Sequence, residues 1–194
     1  MEQMRAMLDR RAFVQELLAD RGDLLVVSGL GSATYDTAAA GDHLLNFYLW
    51  GAMGGTAMIG LGLALAQPDR RILVLTGDGD MLMGIGSLAT IGVKQPKNFA
   101  IVVLDNAHYG ETGMQPSATK SGIDLVATAL ACRFKQARAV SRIEEAADIR
   151  KLLHSGEGPV FISARIKEED VPRVLPVRDG HVIKNRFIGA LNTL

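Results

Sequence analysis

Apolar positions recur at helical spacing from the start of the chain. Met4, Met7, Leu8, Val14, Leu17 and Leu18 share one face and Gly22 follows as a stop, so residues 2–20 are predicted to form an amphipathic helix. Leu24 to Ser28 is a short apolar run opening into Gly29-Leu30-Gly31-Ser32, the pattern of a strand feeding a flexible loop. Residues 44–49 suggest a second short strand and 54–66 a helix. Arg71 to Thr76 (RILVLT) and Phe99 to Leu104 (FAIVVL) lack alternation, as strands covered on both faces do. Between them, Met81 to Val93 reads as a helix despite its glycines. Then follow a loop (105–122), a helix (123–132), a weak strand near 137–140, a helix (143–153) and a strand, Pro159 to Ile166. Strands alternating with helices, and apolar throughout, predict an α/β fold with a mainly parallel sheet flanked by helices on both faces.

Composition changes after Ile166. Residues 167–180 hold seven charges and two prolines and read as an extended surface segment, with His181 to Leu194 as a short closing helix. No repeat or low-complexity linker divides the chain, so residues 1–194 are expected to form a single domain with 167–194 as a C-terminal extension. Lys plus Arg equals Asp plus Glu at 21 each, which offers no net field for nucleic acid or an acidic membrane. The one cysteine, Cys132, precludes an internal disulfide and reads as a small buried hydrophobe in a reducing, cytoplasmic setting. Leu44 to Gln67 carries no charge, and Gly51 and Gly55 stand in GxxxG spacing, so length alone permits a membrane span. Its glycines, Asn46 at its mouth, and Pro68-Asp69 leading straight into a strand favour a buried helix packed tightly on a sheet.

In open parallel sheets, ligands gather at the carboxyl ends of strands. The loop Thr76-Gly77-Asp78-Gly79-Asp80 closes one buried strand, with glycines either side of Asp78 that allow a tight turn and a close backbone approach. Leu104-Asp105-Asn106-Ala107-His108-Tyr109-Gly110 closes another. Either alone is most simply a turn or a helix cap. Together, Asp78, Asn106 and one backbone carbonyl supply three hard oxygens, a set that diphosphate oxygens and water would complete around an octahedral Mg²⁺.

Gly77-Asp78-Gly79 followed after 25 residues by Asp105-Asn106 resembles the motif of thiamin diphosphate-dependent enzymes, in their diphosphate-binding C-terminal domain. Leu49 to Ala66, leading through a strand into that motif, is similar to the family's Gly-rich segment. Val27 to Ser32, Asn46-Phe47-Tyr48, Gly51 to Gly54, Gly84 to Gly92 and Tyr109 to Gln115 resemble the β subunit of sulfopyruvate decarboxylases and the C-terminal part of phosphonopyruvate decarboxylases. The likeness runs from about residue 24 to 166, and Val171-Pro172-Arg173-Val174 fits it too.

The resemblance implies a function and a set of roles. Thiamin diphosphate and Mg²⁺ would be the cofactors, with Asp78, Asn106 and the carbonyl of His108 as metal ligands. Gly31, Ser32, Gly77, Gly79 and the backbone of Asp80 would meet the diphosphate; Gly51, Met53 and Tyr109 would complete the cofactor site. Met53 stands where the family places the apolar wedge between the two cofactor rings, although ordinary core packing would also suit it. Asp105 replaces the first Asn of the usual pair, which is not the ligating position. Asp80 stands where a small residue is usual, and its carboxylate would repel a diphosphate unless turned toward a cation or a metal-bound water.

The cofactor-activating glutamate of the family comes from a pyrimidine-binding domain. This chain has no Glu between Glu16 and Glu111, and Glu111 lies on the diphosphate side. The expectation is therefore a decarboxylase subunit acting on a small 2-oxoacid, inactive without an α subunit that brings the pyrimidine domain, and assembling further into a higher oligomer. Substrate contacts would come from His108, Thr112, Gln115 and Lys120, with His43 a lesser candidate better read as a cap or surface residue. A carboligase of the acetolactate synthase kind and a non-catalytic cofactor-binding protein are the alternatives. A dinucleotide site is a poor match, since no GxGxxG opens the first helix after a strand.

Overall fold

A computed structural model describes residues 7–193. Six parallel strands form one twisted sheet: β1 (Leu25–Ser28), β2 (Asn46–Tyr48), β3 (Ile72–Gly77), β4 (Phe99–Asp105), β7 (Gln136–Val140) and β8 (Val160–Arg165), in the order β2-β1-β3-β4-β8-β7. The chain leaves β1 toward β2 but leaves β3 toward β4, so loops diverge between β1 and β3 and open a crevice at their carboxyl ends.

Alternate residues of each strand feed two cores, as a sheet covered on both faces requires. Leu73, Leu75, Val102 and Ile162 face α1 (Arg10–Leu17), α2 (Ser32–Ala39) and α7 (Ala146–Ser155). Ile72, Val74, Ile101, Val103 and Phe161 face α3 (Thr56–Ala66), α5 (Ser87–Lys94), α6 (Leu125–Ala131) and α8 (Gly180–Thr193). The short α4 (Asp78–Met83) follows β3 directly, and Cys132 packs part-buried at the edge of the second core.

Four expectations need correction. Residues 2–6 of the expected first helix lie outside the described residues, and the helix itself is confined to Arg10–Leu17. Leu8 is instead drawn into a parallel bridge with Ile166, its N–H donating to the Arg165 carbonyl at 2.9 Å. The loop expected at Gly29–Ser32 ends one residue sooner, and residues 32–39, for most of which the sequence suggested no element, form α2. That helix has no continuous apolar stripe to announce it, because its buried Thr34, Asp36 and Thr37 are satisfied by hydrogen bonds and by Arg10 and Arg11. The single helix expected over Met81–Val93 is two, since it breaks at Gly84–Gly86. A Cβ on Gly84 would fall 2.1 Å from the Gly54 carbonyl oxygen, so the loop before α3 lies directly on this break. Finally, the 105–122 loop contains a hairpin of β5 (His108–Tyr109) and β6 (Gln115–Pro116), with 3₁₀ turns at Gly110–Thr112 and Ala118–Ser121.

The uncharged run resolves as a helix packed on the sheet by one face, where the expectation was a buried helix; its other face carries exposed Met58, Ile59 and Leu65. Among the described residues no helix is long and apolar enough to cross a membrane. Gly60 is where α3 meets the sheet: a Cβ there would come within 2.2 Å of Val74 Cγ2 and 3.0 Å of Phe99 Cε2. Gly62, on the outer face, has nothing within 4 Å. These two glycines of one helix should respond oppositely to alanine. Gly60→Ala is expected to destabilise by about 1–3 kcal/mol through overpacking. Gly62→Ala is expected to stabilise by about 0.5–1 kcal/mol through helix propensity. Denaturant unfolding of both variants reads the sign; equal shifts would contradict the packing of α3.

Candidate functional site

The crevice between β1 and β3 deepens into a cavity of about 340 Å³, walled by the loops that follow β1, β3 and β4. Ser32, Met53, Gly77, Asp78, Gly79, Asp80, Asn106, His108, Tyr109 and Thr112, all singled out above, line it. Gly31 lies between two lining residues, Leu30 and Ser32; Gly51, Gln115 and Lys120 do not line the cavity. Gln115 is turned back on its own loop, where its amide meets Thr112, and Lys120 pairs with Glu168 at 3.4 Å. His43 lies before β2, at the opposite end of the sheet from the strand ends that wall the cavity, and its Nδ1 accepts from the Leu45 N–H.

Asp78 is the anchor of one wall. It opens α4 immediately after β3 and is only 2% exposed. Its Oδ2 accepts hydrogen bonds from the hydroxyls of Ser117 and Thr119, and Thr119 also donates to Asp105 at 2.8 Å. Burial pushes the Asp78 carboxyl up to about 6, the Ser117 hydrogen bond opposes this, and the nearby Asp105 charge adds to it. Among the described residues no basic side chain stands among the leading causes of that shift. Ser117 and Thr119 escaped sequence reasoning: a hydroxyl pair in a loop carries no distinguishing spacing.

Neighbouring side chains are committed elsewhere. Asp105 turns away from the cavity, ion-paired to Arg165 at 2.7 Å and accepting from the Ala107 N–H. Asp80, 5% exposed, accepts from the Gly54 N–H and the Thr76 hydroxyl, so its carboxylate ties the loop before α3 to β3. That is a physical account of a carboxylate at this position: its charge is engaged by donors behind the cavity wall. The Asn106 side-chain oxygen accepts from the His108 N–H at 2.9 Å, which tightens the turn, and the His108 ring bridges the Asn106 carbonyl (2.8 Å) and Glu168 (3.4 Å).

Close backbone approach shapes the remaining walls. A Cβ on Gly79 would fall 2.5 Å from Tyr109 Cδ1 and 2.6 Å from Cε1, so that edge of the Tyr109 ring lies against this glycine. Met53 is presented from a loop in which Gly51, Ala52 and Gly54 all have positive φ (143°, 53° and 86°), pinned by the Gly54–Gly84 contact and by Asp80. Leu30, Met83, Leu104 and Ile166 add apolar surface. Glu111 also lines the cavity, with Oε1 placed 3.0 Å from where a Gly31 Cβ would stand. Its Oε2 meets the Tyr35 hydroxyl and Arg173 Nη2, each at 3.5 Å. Thus, among the described residues, the lining carries Asp78, Asp80 and Glu111 but no Lys or Arg.

This donor set suits a cation and an anion bound together. One buried carboxylate without a basic partner beside neutral oxygens of a tight turn is the chemistry of a Mg²⁺ site. Among the described residues there is no cluster of three or more His, Cys, Asp or Glu side chains for a transition metal. α2 begins at the cavity with no side chain capping it, leaving amide donors toward an anion.

Comparison with known proteins agrees. Residues 29–164 match the family "Thiamine pyrophosphate enzyme, C-terminal TPP binding domain". The chain is 35% identical over 173 residues to a phosphonopyruvate decarboxylase of Streptomyces viridochromogenes, covering 86% of this chain and 43% of that protein. It is 37% identical over 184 residues to a sulfopyruvate decarboxylase subunit beta of Methanothermobacter thermautotrophicus, covering 94% of this chain and 95% of that one. Among solved structures, the benzoylformate decarboxylase of Polynucleobacter necessarius superimposes with a TM-score of 0.70 at 19% identity, over 89% of this chain and 36% of that chain, a likeness of fold. The chain thus spans less than half of the phosphonopyruvate relative but nearly the whole of the β subunit.

The electrostatics of Asp78 give a pH test. A carboxyl whose value rises from 3.8 unfolded to about 6 folded favours folding while protonated, so stability falls as pH climbs through that window. The expected loss between pH 4 and pH 7, in chelator, is on the order of 3 kcal/mol. Asp78→Asn should flatten the profile. Denaturant unfolding across this range measures it, and parallel profiles for the two proteins would contradict the assignment.

Proposed function

The chain belongs to the thiamine pyrophosphate enzymes by its C-terminal TPP-binding domain, and from that premise we propose that it is the cofactor-anchoring subunit of a 2-oxoacid decarboxylase of the sulfopyruvate or phosphonopyruvate kind. The observation that carries this reading is Asp78: a buried carboxylate without a basic partner, opening a cavity at the switch point of the sheet.

In this reading Asp78, the Asn106 side-chain oxygen and the His108 carbonyl hold Mg²⁺. Ser117 and Thr119 fix the rotation of the Asp78 carboxylate, so the metal meets an oriented ligand. The amides at Gly31-Ser32 and Gly79-Asp80, with Gly77, receive the diphosphate, where close approach needs glycine. Met53, raised on its strained loop, supports the ring geometry, with Gly51 letting that loop turn; Tyr109 closes the wall against Gly79. Bound there, thiamin diphosphate supplies the electron sink for loss of CO₂ from a 2-oxoacid. Leu30, Met83, Leu104 and Ile166 exclude water from that end of the cavity. His108 and Thr112 are the residues placed to meet the substrate.

The base that activates the cofactor comes, in this proposal, from a pyrimidine-domain α subunit, with the pairs assembling further. Each carboxylate in the cavity is already engaged, as described for Asp78, Asp80 and Glu111. Three relatives of similar length are named as β subunits, which supports a partner of this kind. The outer face of α3, with Met58, Ile59 and Leu65 exposed, and Met83 60% exposed at the cavity rim, supports apolar contact with such a chain. A cytoplasmic setting is in keeping with the lone Cys132 and balanced charge.

Reconstitution is the test. The purified chain alone should release no CO₂ from 2-oxoacids, and addition of the partner chain, thiamin diphosphate and Mg²⁺ should restore turnover. Asp78→Ala should lower that turnover by about 100-fold or more. Product analysis separates release of an aldehyde from carboligation. Robust turnover by the single chain would contradict the split site.

A further inference from the structure

The cavity is short of positive charge for the ligands it is proposed to take. Mg²⁺ offsets the diphosphate, yet a 2-oxoacid with a second acidic group brings two more negative charges. The described lining residues offer Asp78, Asp80 and Glu111 against them, with no Lys or Arg. Among the described residues two cations lie near the lining, one of them a single contact away. Lys120 reaches the site only through Glu168, which in turn touches His108. Arg173 is bonded directly to a lining residue, with Nη2 3.5 Å from Glu111 Oε2.

Arg173 is also held independently of that ion pair. Its guanidinium lies 5.5 Å from the centroid of the Tyr35 ring, on the helix whose first turn meets the cavity. The chain beside it is tied down by the Arg11 guanidinium donating to the Pro172 carbonyl at 2.8 Å. Were Glu111 drawn aside, the stacked guanidinium would remain at the rim with its donor fork open. A planar fork matches the oxygens of a sulfonate or phosphonate, which an ammonium matches less well.

We propose that Arg173 recognises the second acidic group of the substrate, and that Glu111 occupies its place until that group arrives. The group so recognised is the sulfonate or phosphonate that the proposed decarboxylase reading places on C3 of the 2-oxoacid. This rests on the decarboxylase reading given above. Exchange is of one anion for another on the same guanidinium, and no covalent change is involved.

The test uses the holoenzyme reconstituted with its partner chain, thiamin diphosphate and Mg²⁺, assayed on 3-sulfopyruvate, 3-phosphonopyruvate and pyruvate. Arg173→Met should raise KM for the acid-tailed substrates about 10–100-fold, with kcat changed less and with pyruvate kinetics unchanged. Arg173→Lys should recover part of the loss, and Glu111→Gln should lower KM for the tailed substrates. Cofactor affinity is read separately through Trp50, the single tryptophan, which lies 6.1 Å from the Tyr35 ring. It should be unchanged in Arg173→Met, which also verifies that the variant folds. A weakened cofactor titration would assign Arg173 to the diphosphate and overturn the proposal. Equal losses on pyruvate and the tailed substrates would overturn it while leaving the decarboxylase reading intact. Turnover of none of the three by wild type would remove the decarboxylase reading itself, and this inference with it.

Discussion

Everything at the site depends on keeping one carboxylate buried without a basic partner. Asp78 is 2% exposed, and its free energy is tolerable only because hydroxyls of Ser117 and Thr119 replace part of its lost hydration. A lysine beside it would be the cheaper solution for stability, and would abolish its use for a cation. The fold therefore accepts a raised carboxyl at the carboxyl end of β3, where a parallel sheet naturally opens, and builds the 105–122 hairpin to bring Ser117 and Thr119 across to it. Asp105 extends the same network, coupling Thr119 to Arg165 on the next strand. The polar wall is one connected network, with the Ser117 hydroxyl donating to Asp78, Thr119 reaching both Asp78 and Asp105, and the two hydroxyls 2.9 Å apart.

The rest of the cavity is carved by absent side chains. Gly79 admits the Tyr109 ring, Gly84 admits the Gly54 backbone, and Gly60 lets α3 lie close on Val74 and Phe99. Filling any of these would displace an element that carries a lining residue: Tyr109, Met53, or the start of α3. This explains why a run that is long and apolar enough to suggest a membrane helix is instead a spacer between sheet and loop. Its small residues serve proximity on the inner face. Its large ones, Met58, Ile59 and Leu65, face outward.

The parts of this arrangement that were legible in the chain are those that obey a period or a motif. Unalternating runs announced β3, β4 and β8, and the paired turns after β3 and β4 announced Asp78 and Asn106 on facing loops. What stayed hidden is what tertiary context alone defines. α2 has no continuous apolar stripe, since Thr34, Asp36 and Thr37 are buried alongside Ala33, Tyr35 and Ala38 and are held by Arg10, Arg11 and backbone acceptors; no propensity argument finds such a helix. Leu8 reads as helical by spacing and is captured by the edge of Ile166 instead. Ser117, Thr119 and Arg173 act through partners 39, 41 and 62 residues away in sequence, Asp78 for the first two and Glu111 for the third, and local pattern is blind to that distance. Gln115 and Lys120, chosen because they lie near the metal loop in sequence, are directed elsewhere by the hairpin.

These differences in how the walls are held divide the site into two mechanical regimes. Asp78 and Gly79 open α4 directly after β3, and Asn106 directly follows β4, two strands at the centre of the buried sheet, so moving them would disrupt the core. The opposite rim is the segment between β8 and α8, where Val174, Leu175 and Val177 remain 40%, 56% and 39% exposed. It is held by the Arg11 bond to the Pro172 carbonyl, the Trp50 indole donating to the Val177 carbonyl at 3.0 Å, and Arg178 over the Trp50 ring. Contacts of this exposed, polar kind contribute about 0–1 kcal/mol each. A rim so held can shift by an ångström or two without cost to the core, whereas the Asp78 wall cannot. In the proposed reading, the fixed wall suits a cofactor common to many reactions and the adjustable rim suits a particular acidic substrate. The same chain provides both because the two walls belong to different parts of the fold, one grown from the central strands and the other laid across them afterwards.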